Sequence, residues 1–93
     1  MENTITKERL QKYKSLTSDA LEIAKKSIVK SKQKQADEIL QMASNYLSDA
    51  KYFEQKNDFI NSFAALNYAH GWLDAGARLG IFDVRDNRLF TVK

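Results

Sequence analysis

Asn67, His70, Asp74 and Arg78 carry the side chains of this sequence best suited to chemistry, at spacings of 3, 4 and 4. On an α-helix such spacing lines the four along one side. If a second helix packs antiparallel to the first, Tyr46 and Asp49 fall near the level of Asn67 and His70. An imidazole, two carboxylates, a guanidinium and a phenol gathered in one region supply the groups needed for general acid–base work. His70 and Asp74 at i, i+4, with Asp49 as third ligand, also have the spacing of a metal site. Both readings compete with a plainer one. His70 lies at the centre of the stripe Phe63–Leu66–Leu73, and a histidine there more often has its ring nitrogens satisfied by neighbours, for which Asp49 and Asn67 are suited. One histidine and no cysteine make a poor ligand set. The expectation is a structural polar network of Tyr46, Asp49, Asn67, His70, Asp74 and Arg78, with no catalytic residue, metal or cofactor. Gly71, Gly76 and Gly80, spaced 5 and 4, lie inside or at the end of a helical pattern and form no phosphate-cradling loop.

The elements that must position these groups are helical. Three glycines and no proline in 93 residues leave too few turn formers for an all-β fold. The spacing predicts three helices, over about 5–29, 35–56 and 59–79. In the first, Leu10, Tyr13, Thr17, Ala20, Leu21, Ala24 and Ile28 share a face, and Thr4 or Thr6 can cap its start. The polar run 31–35 reads as a connection. In the second, Ala36, Ile39, Leu40, Ala43, Tyr46, Leu47 and Ala50 share a face, with Asp49 at its margin and Tyr52 outward. The short turn 56–58 forces the flanking helices to be antiparallel, with Asp58 capping the third and Gly80 terminating it. The fold expected is all-α, a three-helix up-and-down bundle in a single domain, 1–93, with a short extended tail over 80–93. The first residues of that tail should dock on the bundle, and Leu89 to Val92 have the composition of a short strand.

The stretch from Tyr46 to Phe53, then Asp58-Phe59, then Ala65 to Val84 resembles the archaeal family known as domain of unknown function 357. The run Tyr68-Ala69-His70-Gly71-Trp72-Leu73-Asp74-Ala75-Gly76 is the specific part. The resemblance covers residues 36–84, and the first helix by general pattern; Asn57 stands where the family turn leads one to expect glycine. It implies a small three-helix bundle in an archaeal cytoplasm and no activity.

Composition bounds the partners. Without cysteine there is no disulfide scaffold, thiolate zinc site or cysteine nucleophile. No run approaches the roughly 18 apolar residues of a membrane span, and Met1-Glu2-Asn3-Thr4 opens no secretory pattern, so a cytoplasmic protein without membrane contact is expected. Residues 1–34 hold nine basic against four acidic side chains, whereas 35–80 hold three against six. Lys25, Lys26, Lys30, Lys32 and Lys34 therefore support an alternative reading, a nucleic-acid-associated protein, although the aromatic residues that stack on bases cluster elsewhere. The leading expectation comes from the third helix. It has a second apolar face, Tyr68, Trp72 and Leu79, nearly opposite the first. That face fits a non-enzymatic protein whose partner is another protein or itself, with the tail expected to cover Leu79.

Overall fold

The computed structural model describes residues 5–90. Helix α1 spans Lys7–Lys25, α2 spans Gln33–Gln55 and α3 spans Phe59–Arg78, with a 3-10 turn at Lys30–Lys32. Thr6 caps α1 by accepting the Arg9 amide at 3.1 Å, and Asp58 caps α3 by accepting the Asn61 amide at 3.1 Å; Thr4 lies outside the described residues. Gly80, at φ 76°, takes the left-handed position after α3, where a side chain would be strained. Asn57 has φ 59°, so the turn between α2 and α3 needs the conformation that glycine adopts most easily and asparagine next.

Contacts set the directions. Near its start α1 meets the end of α2, where Gln11 and Lys14 both donate to Glu54, the latter at 2.8 Å. Tyr13 packs edge-on against Phe63 with centroids 5.1 Å apart, and Thr17 reaches His70, so α1 and α3 run the same way. This is an up-down-up bundle, 43 × 23 × 18 Å. The tightest pairing is α2 with α3. Buried Ala36, Ala43 and Ala50 recur every seven residues, as do buried Ser62, Ala69 and Gly76. The Ser62 hydroxyl donates to the Ala50 carbonyl at 2.7 Å. The antiparallel register set by that bond places Ala43 level with Ala69 and Ala36 level with Gly76, and small side chains in every layer let the helices approach closely.

Two expected boundaries are corrected. Helix α1 ends at Lys25 rather than near residue 29. Ile28 instead forms an antiparallel bridge with Phe82, flanked by Val29 N–H to Ile81 C=O at 3.0 Å and Asp83 N–H to Ser27 C=O at 2.8 Å. These long-range bonds compete with the last helical turn and win. Helix α2 already begins at Gln33, inside the run read as a connection. The tail is corrected too. Leu89 and Phe90 lie in a turn rather than a strand, and Thr91 and Val92 fall outside the described residues. Ile81, Phe82, Leu89 and Phe90 are buried in the core, and Leu79, which the tail was expected to cover, is 70% exposed.

Lys14, hydrogen-bonded to Glu54, holds that carboxyl below its ordinary value of 4.5, against an opposing push from partial burial. A carboxylate whose folded value is depressed contributes stability above the unfolded value, and the contribution disappears as pH falls from there through the folded value. Stability should therefore drop below pH 4.5, and less so in Glu54→Gln. Urea unfolding at pH 7 and pH 3 checks this; an identical acid loss in the variant would remove the assignment.

Candidate functional site

Two features of the surface invite function. The first is a cleft of about 580 Å³ between α1, α3 and the tail, lined by Tyr13, Thr17, His70, Asp74, Asn87 and Phe90 among others. Thr17 interrupts the apolar stripe of α1 and is 3% exposed. It sits 3.1 Å from His70 Nδ1, while His70 Nε2 is 2.5 Å from the Leu89 carbonyl oxygen. A carbonyl only accepts, so Nε2 carries the proton and donates; in the neutral ring Nδ1 then accepts from the Thr17 hydroxyl. Asp74 Oδ1 lies 4.0 Å from Nε2. His70 is thus a strut that ties α1 and the tail to α3.

The six residues expected to form one network are divided. His70, Asp74 and Asn67 border the cleft, Asn67 being exposed. Tyr46 is elsewhere, stacked on Tyr68 with centroids 5.3 Å apart and planes at 25°. Asp49 is exposed on α2 rather than at the margin of its buried face, and Arg78 is exposed in the last turn of α3. The partners of His70 are Thr17 and the Leu89 backbone, not Asp49 and Asn67. Thr17 carried a signal, being a polar residue in an apolar stripe; Leu89 carried none, because the course of the tail is set by long-range packing. Among the described residues no group of three or more His, Cys, Asp and Glu side chains comes together to hold a metal.

The lysines at positions 25, 26, 30, 32 and 34 are exposed at one end of the bundle, where Lys25 pairs with Glu22 at 3.3 Å. Tyr13, the aromatic residue embedded among basic ones in α1, is half-buried, with Arg9 5.6 Å from its ring centroid.

The second feature is the outer face of α3. α2 touches only its edge, through Tyr46 stacked on Tyr68, and neither α1 nor the tail covers it. Ile60 (57%), Tyr68 (62%) and Leu79 (70%) are largely exposed and Trp72 (38%) partly so, with exposed Ala64, Gly71 and Ala75 between them. Ile60 extends the strip beyond the residues its sequence pattern singled out. At 1.5 Å per residue it runs about 28 Å, nearly the whole helix. In its middle lies a shallow hollow of about 240 Å³, lined by Asn67, Tyr68, Gly71, Trp72 and Ala75.

Among curated proteins and among solved structures, no match is found. The family model described as "Protein of unknown function (DUF357)" matches residues 12–82. That span takes in most of α1, all of α2 and α3, and the tail as far as Phe82, and the chain accordingly belongs to the DUF357 family of proteins of unknown function.

Proposed function

We propose that this protein is a non-enzymatic protein-interaction module that works through the outer face of α3. The observation that carries the reading is the uncovered apolar strip from Ile60 to Leu79. Water against so continuous an apolar surface on a small chain is unfavourable, and such patches mark places where another macromolecule docks. Tyr68 and Trp72 are of the types that dominate binding energy at interfaces. The His70 cleft supports an acid–base reading less well. Both ring nitrogens are engaged within the fold, and the side chain joins elements rather than facing a substrate space with a free nitrogen.

The chain has no cysteine, so Ala75→Cys offers a single attachment point for a photoactivated cross-linker in the strip. Exposed to itself and to extract of its source cells, the labelled protein should form a discrete adduct that Trp72→Asp abolishes. A label at Asn45→Cys, on the exposed side of α2, should form none. Absence of any adduct from position 75, with another protein or with itself, would refute the interaction reading.

A further inference from the structure

Resting on that reading, we infer that the occupant of the α3 face is a second copy of this chain, bound antiparallel about a two-fold axis near the middle of the helix. Three observations converge on this pairing.

The first is the order of the strip. Ile60, Ala64, Tyr68, Gly71, Ala75 and Leu79 are spaced 4, 4, 3, 4 and 4, an i, i+4 ridge with one step of three at its centre, which packs into the groove of a facing helix at an inclined crossing. The spacing reads the same from either end, with alanine at the second position from each end. When two copies are laid antiparallel about its centre, Ala64 faces Ala75 of the second copy and Tyr68 faces Gly71. The Ile60 end of one helix meets the Leu79 end of the other. Large groups fall on small ones in the centre, and each contact occurs twice, as an isologous interface requires.

The second is Gly71 itself. A glycine within a helix costs about 1 kcal/mol relative to alanine, so its presence asks for a reason. Gly76 has one inside the molecule, because a Cβ there would run into the Phe82 ring. Gly71 has none, since a Cβ at that position would meet nothing within 4 Å. It lines both the His70 cleft and the outer hollow bounded by Asn67, Tyr68, Trp72 and Ala75, and the two-fold pairing brings Tyr68 of the second copy over it on the outer side. Trp72 then lies beside the same incoming ring.

The third is charge and area. Arg78 stands in line with the seam at its Leu79 end, and the antiparallel pairing sets the two Arg78 side chains about 25 Å apart along the helices, so two identical faces meet without like-charge repulsion. From the exposures of its large side chains, each copy offers on the order of 500 Å² of surface, and the pair removes at most about 1,000 Å² from water, the low end for a specific interface and the size of a weak, reversible one. A dimer in reversible exchange with monomer at micromolar concentration is the expected consequence.

Sedimentation velocity of the full chain, from about 1 μM to 1 mM, should show conversion from 10.7 kDa to twice that mass. Gly71→Ala should raise the dimer dissociation constant about tenfold or more by filling the hollow, while its Tm under monomeric conditions stays the same or rises. Disulfide trapping reads the direction. Ala64→Cys/Ala75→Cys should oxidise to a covalent dimer, whereas each single variant should not, because equivalent positions lie about 16 Å apart along antiparallel helices. A chain that stays monomeric throughout, a Gly71→Ala variant that dimerises as well as the parent, or single cysteines that cross-link as readily as the pair would each overturn the pairing. If the chain stays monomeric but position 75 still cross-links to a different protein, the self-pairing fails and the interaction reading stands; if it cross-links to nothing, both fail.

Discussion

Phe82→Ala should destabilise the bundle by about 3–5 kcal/mol, the cost of truncating a buried aromatic residue with partial collapse of the space it leaves. For a chain of this length that is a large part of a total stability on the order of 5–10 kcal/mol. Phe82 is 1% exposed. Its backbone bridges Ile28 and its amide reaches the Gly76 carbonyl at 3.3 Å, while its ring lies against the bare backbone of Gly76. It therefore closes the end of the bundle where α1, α3 and the tail converge. Gly76→Ala should also destabilise, by about 1–3 kcal/mol, because the added methyl collides with that ring. The two effects should not add. With Phe82 already alanine, the obstruction is gone, and Gly76→Ala should become neutral or stabilise by up to about 1 kcal/mol through helix propensity. Urea unfolding of the two single variants and the double variant measures the coupling. Additive effects would mean that the ring does not rest on Gly76.

Local chemistry made much of this fold legible. Asp58, Asn57 and Gly80 mark the ends of helices by interactions within a few residues, and each occupies the position its side chain suits. The inner stripes of α1 and α2 are periodic, and the buried residues follow the period. What the pattern missed was long-range. Ile28 fits the apolar face of α1 and reads as helix, but Ser27 and Val29 on either side of it are bonded to a segment more than fifty residues away. Gln33 and Lys34 are sound helix formers in a run whose polarity looks like a loop. In the site, helical spacing set Asn67, His70, Asp74 and Arg78 along one side and Tyr46 near the level of Asn67 and His70; the first three border one cleft, and Tyr46 meets Tyr68. It did not distinguish the α1 side of α3 from the α2 side, because both neighbours receive the same apolar face. His70 turns to α1 and Tyr46 lies beside the outer face, so the expected network divides between two flanks of one helix. The outer strip was visible as residues that one buried stripe did not require. Its uncovered state was not, because the tail has enough large apolar residues to cover it and packs elsewhere.

His70→Ala should cost about 2–3 kcal/mol, lowering Tm by roughly 10–20 °C in a domain of this size. The imidazole joins three elements through two bonds, to the Thr17 hydroxyl on α1 and the Leu89 carbonyl in the tail. Thr17 is 3% and Leu89 1% exposed, so removing the ring leaves a donor and an acceptor in places where water replaces it poorly. The adjoining cleft admits some solvent, which keeps the expected loss near 2–3 kcal/mol rather than above it. Thr17→Val, which removes one bond and keeps the shape, should cost about 1 kcal/mol. The bonding pattern also has a spectroscopic consequence that packing alone would not produce. In the neutral ring the proton must sit on Nε2, because the Leu89 carbonyl has none to give, so the imidazole nitrogen shifts should be those of the Nε2–H tautomer. In His70→Ala the amides of Leu89 and Phe90 should lose protection from hydrogen exchange more than those of the α2–α3 hairpin, since the tail loses its tie to α3 while Ser62 still bonds Ala50. An Nδ1–H tautomer, or a His70→Ala variant within about 0.5 kcal/mol of the parent, would mean that the ring does not serve as the strut between α1 and the tail.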